Sequence, residues 1–180
     1  YLVVKKGVKL EDWSDLKGKR IGIAPGSAVW FQWAATLTEK NIPYTTFTAV
    51  NIQGGGTAFV QALERGDVDA VAVWEPFESQ LVAKNTAFFA RKIEYSQSKA
   101  VGAELGLLAA TREALKNKPE AMKCFMWAYK SAEEKMAKDP EGFAQAYAKY
   151  TGLPIEVTRE SGKLIKLGGV LGLAQLQRQA

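Results

Sequence analysis

The sequence contains no histidine and only one cysteine among its 180 residues. Without histidine, catalysis by Ser-His or Cys-His pairs and every metal site with an imidazole ligand are excluded. The single cysteine, Cys124, excludes an internal disulfide and a metal site built from several cysteines. It lies in the apolar helical stretch 122–127, so we expect it to be a small buried core residue.

The sequence also lacks a run of about 18 apolar residues, so no membrane-spanning helix is predicted. A hydrophobic fraction of 47% and a charged fraction of 24% are ordinary for a soluble globular protein of one or two domains. The net charge of +5 comes from scattered lysines, which favour an anionic partner weakly and nucleic acid hardly at all. No signal peptide is visible and the chain begins at Tyr1, so we expect a processed or truncated piece of a longer protein.

Residues 61–76 combine the end of a helix, a glycine, a short apolar strand and the start of another helix. Gly66 can adopt the left-handed conformation that ends a helix. The run 68–73 alternates small and β-branched residues, as does a parallel strand covered on both faces. Trp74 and Glu75 are therefore predicted at the carboxyl end of a parallel strand, where open α/β sheets bind their ligands.

Strand and helix patterns alternate through the first half of the chain, and helix patterns dominate the second. The predicted strands are 1–4, 20–24, 44–50, 68–73, 88–95 and 106–111. The predicted helices are 27–40, with Ser27 as cap, 57–65, with Thr57 as cap, 76–85, 119–138, 140–152 and 154–166. This order predicts an α/β fold with a parallel-rich sheet and flanking helices, followed by a C-terminal helical segment.

Three stretches, 15–23, 25–27 and 66–76, resemble in order and spacing the solute-binding proteins of bacterial ABC importers for nitrate, taurine and aliphatic sulfonates. The similarity covers most of residues 1–165. It implies a type II periplasmic-binding-protein fold, in which two α/β lobes are joined by two crossing strands and the ligand binds in the cleft between them.

The same resemblance implies a division of the chain. Residues 1–7 would be the first hinge-crossing strand, 8–100 the second α/β lobe, 101–112 the return crossing strand, and 113–180 C-terminal helices that pack on the first lobe. The first lobe is missing from this sequence, so we expect the missing N-terminal lobe of the same protein, or a partner, to supply its surface. The chain by itself should carry half a binding site.

The candidate ligand-binding residues follow the predicted strands. They are Gly26, Ser27, Ala28, Trp30, Gln53, Gly54, Thr57, Trp74 and Glu75. At the turn 26–28 the free N–H groups of a helix start favour an anion, and the Ser27 hydroxyl either adds a donor or only caps the helix. The glycine-rich loop 53–57 either approaches the ligand through its backbone or is a flexible connector.

The aromatic and acidic candidates leave alternatives open. Trp30 either packs in the core or faces the cleft, and in the second case it indicates an aromatic or bulky apolar ligand. Trp74 either contacts the ligand or packs in the core. Glu75 accepts a hydrogen bond from an ammonium or hydroxyl of the ligand, caps the next helix, or pairs across the cleft. A carboxylate beside an anion pocket argues against a ligand that is only anionic, unless a base or metal intervenes.

These observations predict a binding protein with no catalytic residue, cofactor or metal. It would capture a small anionic solute, such as a sulfonate, taurine, nitrate or a carboxylate, and deliver it to an ABC permease from the periplasm or from a lipid anchor outside a Gram-positive membrane. The alternatives are an enzyme on the same fold, of the menaquinone-pathway kind with Glu75 as its acid or base, and the effector-binding domain of a transcription regulator. Thiamine-pyrimidine synthases are also similar, but they depend on histidine and a cysteine cluster.

Overall fold

The computed structural model describes residues 1–99, 102–103 and 106–165, with 174 and 177. The chain divides into two compact units. The described residues up to 103 belong to the first, called the α/β unit, and residues 106–165 belong to the second, called the helical unit. The glycine-rich stretch 168–172 lies outside the described residues, as does the end of the predicted C-terminal helical segment.

The α/β unit is built on a five-stranded sheet flanked by helices. Its strands are β1 (Leu2–Lys5), β2 (Arg20–Ile23), β3 (Thr48–Asn51), β4 (Ala70–Val71) and β5 (Ala87–Ala90), in the order β3-β2-β4-β1-β5. Its helices are α1 (Ala28–Glu39), α2 (Gly56–Arg65) and α3 (Phe77–Ala83). Strand β2 is parallel to β3 and β4, whereas β1 is antiparallel to β4 and β5. The predicted α/β fold is confirmed, and the sheet is mixed rather than wholly parallel.

Two buried clusters cover the opposite faces of this sheet. Leu2 and Val4 belong to one cluster and Val3 to the other, because alternate residues of a strand point to opposite faces. On the α1 side the centre is Trp33, which is fully buried and stacks on Trp13 with 5.7 Å between ring centroids. Helix α2 supplies residues to the cluster on the other face. Both faces are therefore covered, and the ends of the strands remain as the place where polar groups can meet a ligand.

An ion pair joins β2 to the segment before β4 at the amino end of these strands. Arg20 Nη2 lies 2.7 Å from Asp69 Oδ1, and the Arg20 backbone N–H donates to Asp69 Oδ2 over 2.8 Å. The hydrogen bond from the Arg20 guanidinium holds the pKa of Asp69 below its usual value. This bidentate pair fixes the two neighbouring parallel strands, and with them the loops at their opposite ends.

Several predicted strand boundaries are wrong. Residues 44–46 form a short 3₁₀ helix, in which Thr46 N–H donates to Pro43 O over 2.9 Å, and the strand begins only at Thr48. Of the predicted strand 68–73, only Ala70 and Val71 pair as β4, and the strand predicted over 88–95 ends at Ala90 as β5. The strand predicted over 106–111 is not present in the structure, where these residues are exposed and irregular.

The α/β unit also contains a two-stranded ribbon that the sequence did not indicate. Strands β6 (Gln97–Ser98) and β7 (Gly102–Ala103) pair antiparallel. Helix α1 holds the ribbon, because Glu39 accepts from the Ser98 hydroxyl and Gln32 Nε2 donates to Gly102 O over 3.0 Å. The end of the unit is thereby attached to the helix that begins at the candidate site.

The helical unit contains four helices. They are α4 (Arg112–Asn117), α5 (Pro119–Lys138), α6 (Pro140–Thr151) and α7 (Ile155–Leu164). Asp139 caps α6 by accepting from the Gly142 N–H over 2.8 Å, and Arg159 of α7 forms two hydrogen bonds to Glu141 of α6. The predicted long helix 119–138 is confirmed, whereas the short α4 was not predicted. Among the described helices, none combines the length and the hydropathy that a bilayer-spanning segment requires.

Helix α5 presents apolar side chains to solvent. Phe125, Met126 and Trp127 are 51%, 45% and 74% exposed. Cys124 is exposed as well, so the prediction that it is a buried core residue is wrong. The amphipathic pattern of α5 correctly indicates a face suited to burial, but that face is open in the structure.

Candidate ligand-binding site

Three loops meet at one edge of the sheet of the α/β unit. Strands β3, β2 and β4 are parallel neighbours, so their carboxyl ends share that edge. The residues that follow β2, β3 and β4 lead into α1, α2 and α3 respectively. All the predicted ligand-binding residues lie in these loops or in the first turns of the helices after them, which is where open α/β sheets bind ligands.

The loop after β2 forms a strand-to-helix turn with free donors. Ser27 N–H donates to Ala24 O over 3.1 Å, and Gly26 has a φ of +85°, a conformation that favours glycine. Ser27 Oγ accepts from the Trp30 N–H over 3.0 Å, which confirms Ser27 as the cap of α1. Because Ala28 and Val29 are the first two residues of α1, their N–H groups have no carbonyl partner inside the helix.

This helix start is suited to an anion. The N–H groups and the positive end of the helix dipole attract negative charge. The Ser27 hydroxyl accepts from Trp30 N–H through its oxygen and still has its own hydrogen to donate. Gly26, Ser27 and Ala28 therefore bring several donors to one place without any cationic side chain.

The glycines of the loop after β3 have two different roles. Gly54 and Gly55 are exposed and have φ values of +100° and +77°. Gly56 is buried, and a Cβ atom there would lie 1.9 Å from the Phe77 ring. The third glycine therefore permits close packing of α2 on α3, whereas an approach to a ligand stays a prediction for Gly54.

The polar candidates of this loop are exposed. Gln53 Nε2 donates to Asn51 Oδ1 over 2.7 Å, which ties the side chain to the end of β3. Thr57 was predicted to cap α2, but this is wrong: Gly55 is the cap residue and Thr57 is the second residue of the helix. The glycine can occupy the cap position because its positive φ carries no steric cost.

Trp74 and Glu75 follow β4 and are half-buried. Trp74 meets the rings of Phe59 and Phe77 edge-on, with centroid separations of 5.8 and 6.2 Å. Glu75 Oε1 accepts from the Ser79 hydroxyl of α3 over 3.0 Å. Helix α3 has no side-chain hydrogen bond at its cap residue, Pro76, and a capping role for Glu75 stays a prediction.

An apolar groove lies beside these loops, between α1 and the edge strand β3. Its cavity volume is about 470 Å³, and Trp30 and Ala34 of α1 line it opposite Ala49 and Asn51 of β3, with Tyr44 as a further wall. Trp30 is half-buried and lines this groove, while it also packs against the core. The sequence did not single out Tyr44 or Asn51, because their proximity to Trp30 depends on which strand forms the edge of the sheet.

Comparison with known families gives a match over most of the chain. The family model described as NMT1/THI5 like matches residues 1–143. A search of curated proteins finds no significant match.

Solved structures share the fold at low sequence identity. The alkanesulfonate-binding protein SsuA from Xanthomonas axonopodis pv. citri, bound to MOPS, has a TM-score of 0.74 and 22% identity, over 90% of this chain and 54% of that chain. The periplasmic aliphatic sulphonate binding protein SsuA from Escherichia coli has a TM-score of 0.67 and 17% identity, over 90% and 50%. A ligand-binding component of an ABC-type import system from Staphylococcus aureus has a TM-score of 0.66 and 13% identity, over 90% and 54%.

These similarities confirm the periplasmic-binding-protein-like fold expected from the sequence. The chain spans about half the length of the solved structures that it matches.

Proposed function

The chain belongs to the NMT1/THI5-like family, and from that premise we propose that it is the solute-binding component of an ABC importer. The observation that carries the proposal is the open helix start at Ser27 and Ala28, which lies at the edge of the sheet where the three loops meet. A helix start with unused N–H groups binds an anion without any catalytic group. Similarity to solved solute-binding proteins supports the same function.

The solute is a small organic or inorganic anion of the sulfonate, taurine, nitrate or carboxylate type. Ser27 and the first N–H groups of α1 bind its negative group. In the loop after the neighbouring strand β4, Glu75 is half-buried and already accepts from Ser79, and its carboxylate can also accept from an ammonium or hydroxyl of the solute. The remaining predicted contacts come from Gly26, Trp30, Gln53, Gly54, Thr57 and Trp74.

The chain provides half of a two-lobed binding site. In this proposal, 1–7 and 101–112 are the segments that cross between the lobes, 8–100 belong to the second lobe, and the helices from 113 onward pack on the N-terminal lobe of the same protein. The exposed apolar residues Phe125, Met126 and Trp127 support this division, since a face of this kind is suited to burial. Closure of the lobes about the crossing segments encloses the solute, and the closed protein delivers it to a membrane permease from the periplasm.

Replacement of Ala28 with proline tests the anion site. Proline is favoured at the first position of a helix, and Ser27 already has the extended conformation that a residue before proline requires, so α1 should remain intact. The change removes one N–H donor. We expect the complete gene product to bind butanesulfonate roughly tenfold to a hundredfold more weakly by calorimetry, as for a lost hydrogen bond to a charged group.

The matched control is Ala28→Ser, which changes the side chain and keeps the N–H. We expect its affinity for butanesulfonate to stay within about threefold of the original, since surface substitutions usually change free energies by less than about 0.5 kcal/mol. Equal affinities of the proline and serine variants would show that the anion does not bind at this helix start.

A further inference from the structure

We propose that the groove between α1 and β3 binds the apolar part of the solute, so that the protein selects organic anions with an alkyl or aryl group over small inorganic anions. The inference rests on the proposed function and names the class of solute for the same site. Pro25 connects the groove to the anion-binding start of α1, since it lies in the turn before Ser27 and also lines the groove. Trp30 connects them as well, because its backbone N–H donates to Ser27 Oγ and its ring lines the groove.

The composition of the groove favours an apolar group over a second charge. Its lining residues include Ile23, Ala34 and Ala49, and none of them is charged. The two aromatic side chains contribute rings with a single polar atom each. Burial raises the pKa of Tyr44, and a hydrogen bond from the Trp30 side chain opposes that rise only in part. The Tyr44 hydroxyl is therefore neutral near pH 7, and the groove offers no charge to a second ionic group.

The exposure of these aromatic residues indicates that the groove is available. Trp33, one turn further along α1, is fully buried, whereas Trp30 is half-buried and Tyr44 is 40% exposed. Covering such rings removes apolar surface from water and stabilises a complex in proportion to the area covered. Ala34 and Ala49 are small, and they leave the space that a larger side chain would fill.

The size of the groove fits a small organic group. Its volume of about 470 Å³ lies within the range of about 300–1,000 Å³ that is usual for ligand pockets. A nitrate ion at the helix start would have no apolar group to place there. An alkanesulfonate or an arenesulfonate has one, attached directly to the group that the helix start binds.

The test is a series of linear sulfonates, from methanesulfonate to octanesulfonate, titrated by calorimetry into the complete gene product. If the alkyl chain enters the groove, each added methylene should tighten binding about fourfold until the groove is full. Naphthalene-2-sulfonate should likewise bind more tightly than methanesulfonate. An affinity that does not change along the series would overturn the inference while leaving an anion-binding function in place.

Two variants test whether an effect of alkyl chain length on affinity arises in this groove. Ala49→Phe fills the groove from β3, where an aromatic residue suits an exposed strand, and Ala34→Leu fills it from α1 with a good helix former. In both variants the affinity should no longer rise with the length of the alkyl chain. The control Ala83→Phe, at an exposed position of α3, should keep that rise.

The outcomes separate this inference from the function on which it rests. If both groove-filling variants keep the full chain-length effect, the alkyl group binds elsewhere and the groove has no such role. If the folded protein binds none of the sulfonates and none of a matching set of carboxylates, the proposed function itself fails.

Discussion

Replacement of Ser27 with aspartate is expected to abolish anion binding and to leave the fold stable. Aspartate is as good a helix cap as serine, so the Trp30 N–H keeps an acceptor and α1 keeps its start. The new carboxylate also suits the positive end of the helix dipole, and it lies where the solute anion would bind. Two unit charges about 4 Å apart repel by about 4 kcal/mol near a protein surface, which corresponds to roughly a thousandfold loss of affinity.

The matched control is Ser27→Asn, which has the same shape as the aspartate variant and is also a good cap, but carries no charge. Calorimetry with butanesulfonate measures binding, and urea unfolding measures stability. We expect both variants to unfold at similar urea concentrations, and only the asparagine variant to retain measurable affinity. If the aspartate variant binds as tightly as the asparagine variant, the negative group of the solute lies away from Ser27.

Replacement of Gly56 with alanine is expected to lower the free energy of unfolding by about 3 kcal/mol, the upper end of the usual cost of overpacking a core. A Cβ atom at this position would lie 1.9 Å from Phe77 Cδ2 and 2.0 Å from Phe77 Cε2. The ring must move, and it is the first side chain of α3 and an edge-on neighbour of Trp74. The better helix propensity of alanine offsets at most about 1 kcal/mol of this cost.

A double-mutant cycle tests whether the clash is the cause. Phe77→Ala removes the ring, so combining it with Gly56→Ala should cost clearly less than the sum of the two single changes. Gln61→Ala, at an exposed position of the same helix, should change stability by less than about 0.5 kcal/mol. Strict additivity of Gly56→Ala and Phe77→Ala would mean that the glycine is needed for another reason.

Elements with strong local signals could be predicted from the sequence. Ser27 caps α1 as expected, and Gly66 ends α2 in the left-handed conformation. Helix α5 has the predicted bounds because Pro119 begins it and Asp139 caps the next helix. These signals act over one turn of chain, so a single sequence contains all that is needed to read them.

Features that depend on distant contacts could not be predicted. The requirement for glycine at 56 comes from Phe77, a residue on another helix, and the loop pattern suggested a ligand instead. The groove beside Trp30 exists because β3 is the edge strand, and strand order is set by the whole sheet. Cys124 lies on an apolar pattern and is nonetheless exposed, because a pattern shows which face is suited to burial and not what covers it.

The most direct test of anion capture is a fluorescence titration of the complete gene product, with this 180-residue chain measured beside it. The solutes are nitrate, taurine, butanesulfonate, naphthalene-2-sulfonate and benzoate, and the signal is tryptophan emission, to which Trp30 and Trp74 contribute at the site. We predict a saturable change with one class of organic anion in the complete protein, and much weaker binding by the 180-residue chain, because the proposed function gives it half of the site. A folded complete protein whose emission and calorimetric heat stay unchanged with every anion would contradict the account.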